Sequence, residues 1–176
     1  MILRPATPAD APALAALGRA AFVAKFGHLY SAENLSRFLD ESHSPAAVAL
    51  EIADPGMAVH VAEQDGALVG MCKLKLVSTL KDQAAEQQEC PALHPLEIKQ
   101  LYTAPDRTGM GIGKVLMDWA MEFARSHGAD EVQLSVWSEN HDAQRFYARY
   151  GFTKTADIAF WVGDHRDDEF LFARRL

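Results

Sequence analysis

The 176-residue chain predicts a mixed α+β domain with antiparallel and parallel strands in one architecture. Three observations predict it. Capped, helix-periodic segments fill most of the first fifty residues. Two alternating runs then meet at Asp65-Gly66, a strong hairpin signal. After residue 95 the order becomes strand, glycine run, helix, strand, helix and two closing strands. That order is not a long βαβα repeat. The length suits one domain over 1–176 with a substantial core.

The elements read in order as follows. Ile2 to Arg4 is a short first strand. In "TPADAPALAALGRAAFVAKF" Thr7 is placed to cap, Pro8 suits the first helical position, and Asp10 sits where a capping acid belongs. Leu14, Leu17 and Ala21 repeat at helical spacing. "SAENLSRFLDE" predicts a second helix capped by Ser31, and "SPAAVALEIAD" a third capped by Ser44. "MAVHVAEQ" and "ALVGMCKLKLV" flank Asp65-Gly66 and should pair antiparallel. "STLKDQAAEQQECPALHP" lacks periodicity and reads as a loop. "LEIKQLYT" is a strand. A helix follows the glycines, with Ile112, Val115, Leu116, Trp119, Ala120 and Phe123 on its apolar face and Gly128 at its end. "EVQLSVW" is a further strand. "ENHDAQRFYARYGF" is a helix that places Ala143, Phe146, Tyr147 and Tyr150 on one side and stops at Gly151. The remainder reads as two strands joined by a polar turn near Asp164 to Asp168.

Composition narrows the function classes. Hydrophobic residues at 49% and charged residues at 23% are ordinary for a globular protein. A formal net charge of −7 argues against nucleic acid as a main partner. Cys72 and Cys90 form no CxxC and no disulfide framework, so a reducing compartment is expected. No signal sequence or stretch of membrane-spanning length is present, so a cytoplasmic protein without a membrane partner is expected. The seven histidines are scattered without HxxxH or HxH, so no metal site is expected, and no Gly-x-Ser-x-Gly elbow occurs.

The chemistry centres on "DRTGMGIGKVLMDW". A Walker A loop ending at Gly113-Lys114 would need glycine at Thr108 and a hydroxyl at Val115, and both fail. A Rossmann fingerprint from Gly109 and Gly111 would need glycine at Lys114, and that fails. What remains is a strand, a turn and glycines at a helix start. Amides of Gly109 through Lys114 are placed there to hold a pyrophosphate. A glycine-rich connection that only lets a helix pack close to a sheet would look the same.

The neighbouring segments separate these readings. "LEIKQLYTAPDRTGMGIGKVLMDWAMEFA" and "LSVWSENHDAQRFYARYGF" together resemble the GCN5-related N-acetyltransferase superfamily over about Leu96 to Phe152. Thr108, Gly111 and Gly113 occupy the key places of its Arg/Gln-x-x-Gly-x-Gly/Ala loop. Thr108 is a departure, since the family usually has Arg or Gln there. Arg107 and Lys114 are expected to compensate. The resemblance implies a mixed, mostly antiparallel sheet whose parallel fourth and fifth strands splay apart, and acetyl-CoA as cosubstrate. It implies that Leu101, Tyr102 and Thr103 supply backbone to the pantetheine arm. Thr108, Gly109, Met110, Gly111, Ile112, Gly113 and Lys114 would form the pyrophosphate loop. Asn140, Ala143 and Tyr147 would complete the cofactor contacts. Tyr147 matches the family tyrosine beside the coenzyme sulfur, a general acid, expected near the N-terminal half of its helix. Glu97 stands where some members place a general base or water-positioning acid. Strand alternation would put Glu97, Lys99, Leu101 and Thr103 on one face.

The C-terminal segment "VWSENHDAQRFYARYGFTKTADIAFWVGD" is similar to a bacterial subgroup that acetylates polyamines such as spermidine and spermine, and "AFVAKFGHLYSAENLSRFLDE" resembles it more loosely. The implied acceptor is a small amine attacking directly in a ternary complex. Glu33, Asp40, Glu41, Asp164, Asp167 and Asp168 lie in the segments that would face it. The alternatives are a protein or peptide N-terminal or lysine acetyltransferase, and a non-catalytic acyl-CoA-binding module. Some members pair through C-terminal strands, so a homodimer is possible.

Overall fold

The computed structural model describes residues 1–83 and 92–176. Residues 84–91 of the expected loop, with Cys90, lie outside them. Seven strands form one sheet: β1 (Ile2–Pro5), β2 (Met57–Gln64), β3 (Ala67–Lys75), β4 (Pro95–Thr103), β5 (Glu131–Trp137), β6 (Thr153–Val162) and β7 (His165–Arg175). Their spatial order is β1-β2-β3-β4-β5-β7-β6. Every neighbouring pair is antiparallel except β4 and β5, which run parallel. This is the expected mixed α+β class.

The helices are α1 (Ala11–Phe26), α2 (Ala32–Ser42), α3 (Pro45–Ala53), α4 (Leu80–Gln83), α5 (Ile112–Ser126) and α6 (His141–Arg149). The caps follow from the sequence. Ser31 accepts from the Asn34 N–H and Ser44 from the Ala47 N–H, both at 3.2 Å. Asp10 accepts from the N–H and hydroxyl of Thr7, closing a 3₁₀ turn, Pro8–Asp10, that precedes α1. Asp65 and Gly66 have φ of 53° and 77°, the two positive values a tight hairpin between β2 and β3 needs.

Two expectations are corrected. Leu80–Gln83 is a helical turn inside the segment read as loop. The closing hairpin turns at Gly163-Asp164, with Val162 opposite His165, so Arg166 to Asp168 belong to β7.

Helices cover both sheet faces. α1 and α3 pack Leu14, Leu17 and Val48 on Val59, Val61 and Met71. On the other face, α5 packs Ile112, Leu116, Met117 and Ala120 on Cys72, Leu74, Ile98 and Leu134, and α6 adds Ala143, Phe146 and Tyr147.

The feature that positions the site is in the middle of the sheet. β4 pairs with β5 only from Pro95↔Glu131 to Ile98↔Leu134, after which the strands part. The parting coincides with a bulge: Leu74 faces Ile98, Lys73 faces Gln100, and Lys99 is the extra residue. The bulge overturns the expected shared face of Glu97, Lys99, Leu101 and Thr103. One inserted residue exchanges the two faces of everything beyond it. Leu101 therefore joins Ile98 on the α5 side, while Glu97 faces the opposite side with Lys75.

Candidate active site

The split between β4 and β5 is reached from both faces of the sheet. Beyond Ile98, β4 keeps its ladder to β3, through Cys72↔Leu101, Met71↔Tyr102 and Gly70↔Thr103, but has no ladder to β5. Its backbone groups on that edge are open to an extended ligand. Leu101, Tyr102 and Thr103 lie on this parted stretch of β4.

At the top of the split, a 3₁₀ turn (Pro105–Arg107) leads into the glycine loop and α5. Gly109 and Gly111 have φ of 83° and 81°, and no atom lies within 4 Å of where either Cβ would point. Their left-handed backbone folds the loop into an open cradle that a side chain would fill. The N–H groups of Ile112, Gly113 and Lys114 begin α5 and have no intrahelical acceptor. Gly113 lies against Leu101, Thr103 and Phe146, tying the cradle to β4 and α6. Ile112 is buried in the core and offers only its backbone, whereas Met110 is 58% exposed.

The side chains around the cradle are engaged elsewhere. The Thr108 hydroxyl donates to the Pro105 carbonyl at 3.2 Å. Arg107 lies 3.3 Å from Asp106, and Lys114 lies 2.6 Å from Asp118, which also accepts from Tyr150 at 2.8 Å. Arg107 and Lys114, the residues expected to compensate for Thr108, each pair with a neighbouring carboxylate here. The donors left without an intrahelical acceptor at the start of α5 are backbone amides at the positive end of its dipole.

α6 begins with Asn140, whose side chain accepts from the Ala143 N–H at 3.3 Å. Tyr147 lies in the C-terminal half of this nine-residue helix, not in the expected N-terminal half. It packs against Phe146 and Phe152. Burial raises its phenol well above the usual range, and the nearby Cys72 and Glu169 add to the effect. Tyr102 behaves alike from the other face, through burial and then Tyr147 and Glu169. Both phenols stay protonated and can donate.

Glu97 is only 5% exposed. Its carboxylate accepts from the Thr79 N–H and hydroxyl, at 3.0 and 2.9 Å, and lies 3.4 Å from Lys75. It sits where β4 and β5 are still paired, at the foot of the split.

Of the acids expected near an acceptor, only Asp167 is brought to a buried position, where the Tyr30 hydroxyl donates to it at 2.5 Å. Glu33 and Glu41 are exposed on α2. Asp40 pairs with Arg19, Asp164 with Arg37 and Asp168 with Arg166, all on the surface. Sequence reading missed Glu169. It lies on β7 opposite Trp137 of β5, and alternation puts it with Asp167 and Leu171. The available signal was an acid on the Asp167 and Leu171 face of an alternating run, obscured by assigning the adjoining Asp164 to Asp168 to a turn. Among the described residues no cluster of three metal-ligating side chains occurs, and no helix is long and apolar enough to cross a membrane.

Comparison with known proteins agrees with this geometry. The acetyltransferase (GNAT) family model matches residues 24–152. An uncharacterised N-acetyltransferase of Lactobacillus delbrueckii subsp. lactis is 31% identical over 95% of this chain and 92% of its own. An aminoalkylphosphonate N-acetyltransferase of Salmonella typhimurium is 32% identical over 70% of this chain and 74% of its own. In fold, the chain is similar to a PaiA N-acetyltransferase of Thermoplasma acidophilum solved with coenzyme A, with a TM-score of 0.78 and 22% identity over 99% of this chain and 98% of that one.

Proposed function

The chain belongs to the acetyltransferase (GNAT) family and is an acetyl-CoA-dependent N-acetyltransferase; we propose that its acceptor is the primary amine of a small polycation such as spermidine or spermine. The observation that carries the proposal is the split itself. A glycine loop opens on one side of it, and two acids, the buried Asp167 and the half-buried Glu169, stand on the other. Carboxylates at that mouth favour a cationic amine over an anionic one. The Salmonella relative, named for a small primary amine, supports a small acceptor.

Acetyl-CoA supplies an activated thioester when bound. The chain's residues do the rest. In the proposal, amides from Gly109 to Lys114 hold the pyrophosphate, and the free edge of Leu101 to Thr103 orients the pantetheine arm. Asn140 and Ala143 flank that arm at the start of α6. The neutral amine attacks the thioester carbon in a ternary complex. Tyr147 donates its proton to the sulfur as the C–S bond breaks, and its oxygen recovers a proton from the new amide nitrogen. Glu97, with its oxygens already engaged by Thr79 and Lys75, orders water at the foot of the split.

Acetyl-CoA consumption is measured with spermidine, spermine, a lysine-ended peptide and an aminoalkylphosphonate. The highest kcat/KM is expected with a polyamine. Preference for the peptide or the phosphonate overturns the polyamine acceptor. Coenzyme A binding without turnover of any amine favours a non-catalytic module.

A further inference from the structure

On the α1–α3 side of the split, two buried oxygens have no partner among the described residues, and a carboxyl stands close by. The Gln100 side-chain carbonyl and the Ser135 hydroxyl are buried without a hydrogen bond. Gln100 follows the bulged Lys99 and Ser135 follows Leu134, so both stand just beyond the last pair, Ile98↔Leu134, and flank the opening. Glu169 follows on the next strand. Ser135 is opposite Leu171 and Trp137 opposite Glu169, which sets the carboxyl diagonally beyond the serine on the same face. Among the described residues Glu169 has no hydrogen-bond or ion-pair partner, and its charge acts on both Tyr102 and Tyr147 from opposite sides of the sheet. Two buried acceptors without a donor, Gln100 and Ser135, are costly unless a ligand supplies one.

We propose that Glu169 takes the proton from the acceptor ammonium, while the Gln100 carbonyl and the Ser135 hydroxyl oxygen accept the N–H bonds of the amine and aim its lone pair through the split. This rests on the amine-acetylation reading above. The ammonium N–H bond breaks and its proton goes to the Glu169 carboxylate. The freed lone pair forms the C–N bond at the thioester carbon, and the C–S bond breaks with its electrons on sulfur. Sulfur takes the Tyr147 proton, and the amide nitrogen returns one to the Tyr147 oxygen. One proton per turnover remains on Glu169 and leaves to solvent.

The surroundings suit this role. Asp167 faces Glu169 from its own strand, Tyr30 from the segment between α1 and α2, Tyr102 from β4 and Tyr147 from α6. The cross-strand neighbours, Trp137 and Ile158, are neutral. Asp167 is itself held by Tyr30 and by His165 at 3.3 Å. Burial, and then Asp167, push the Glu169 carboxyl up to about 8. A base of that strength lies close to an alkyl ammonium of about 10.

The test compares wild type with Glu169→Gln, a neutral variant of the same shape. For wild type, kcat/KM for the amine should be bell-shaped, rising through about 8 and falling near about 10, where the ammonium is lost. Glu169→Gln should lose about 100-fold in kcat and rise monotonically toward the amine's own pKa, with KM for acetyl-CoA unchanged. The same profile in both proteins overturns the proposal. If Glu169→Gln does not fold, Gln100→Leu and Ser135→Ala carry the test: each should raise KM for the amine alone, and an unchanged KM in both counts against the subsite. Should wild type acetylate no amine, the functional reading fails, and calorimetry of spermidine with the protein–coenzyme A complex still judges Glu169. About tenfold weaker binding by the variant supports its contact with the amine. Equal affinity, or no binding to wild type, refutes it.

Discussion

Lys73 is fully buried in β3, with its ammonium 2.5 Å from Glu51 of α3. Glu51 also bonds Lys99, the bulged residue of β4. Burial holds the Lys73 ammonium below its ordinary range, with Glu51 acting the other way. For Glu51, burial acts upward, but the two lysines together hold it below the ordinary carboxylate range. One carboxylate therefore ties α3 to the strands that open the split. Removing one partner of a buried pair leaves a charge without compensation. Glu51→Gln should destabilise the fold by about 3–5 kcal/mol in urea unfolding. Glu51→Leu combined with Lys73→Met should recover most of that loss. A single variant as stable as wild type would show that the pair does not hold α3 in place.

At the scale of elements, donor binding is proposed for the loop between β4 and α5. Gly111 at φ 81° is its pivot, and α5 is anchored independently by Ile112, Leu116 and Ala120. Gly111→Val strains that conformation and fills the cradle while leaving the anchor intact. Acetyl-CoA should bind at least about tenfold more weakly by calorimetry, with α-helical content retained. Unchanged affinity would remove the cradle from the account. The glycine-rich helix start was legible in the sequence, and the resemblance of the flanking segments to a known family, not the failed Walker and Rossmann alignments, implied its ligand. The caps at Ser31 and Ser44 and the Asp65-Gly66 turn were legible too: a local backbone conformation demands particular residue types. The bulge at Lys99 was not. A lysine in a strand carries no mark of an inserted residue, and the inserted residue reverses the faces assigned to Glu97 and Leu101. Glu169 escaped for a related reason. Its environment comes from strands and helices distant in sequence, and only the pairing of β7 with β5 places it near Tyr102 and Tyr147.

At the scale of the molecule, one sheet does two jobs. Its antiparallel wings bury the two main apolar clusters, one under α1 and α3 and one under α5 and α6. Its single parallel pair cannot stay closed beyond Ile98, and the opening joins the two faces. Donor and acceptor can then approach from opposite sides and meet where Tyr147, Tyr102 and Glu169 converge. The central claim is that acetyl transfer occurs in this opening, with Tyr147 supplying the proton to the departing sulfur. Steady-state acetylation of spermidine by wild type and Tyr147→Phe tests it most directly. A fall in kcat of about 100-fold with KM for acetyl-CoA unchanged is the predicted result; an equal kcat in the two proteins would contradict it.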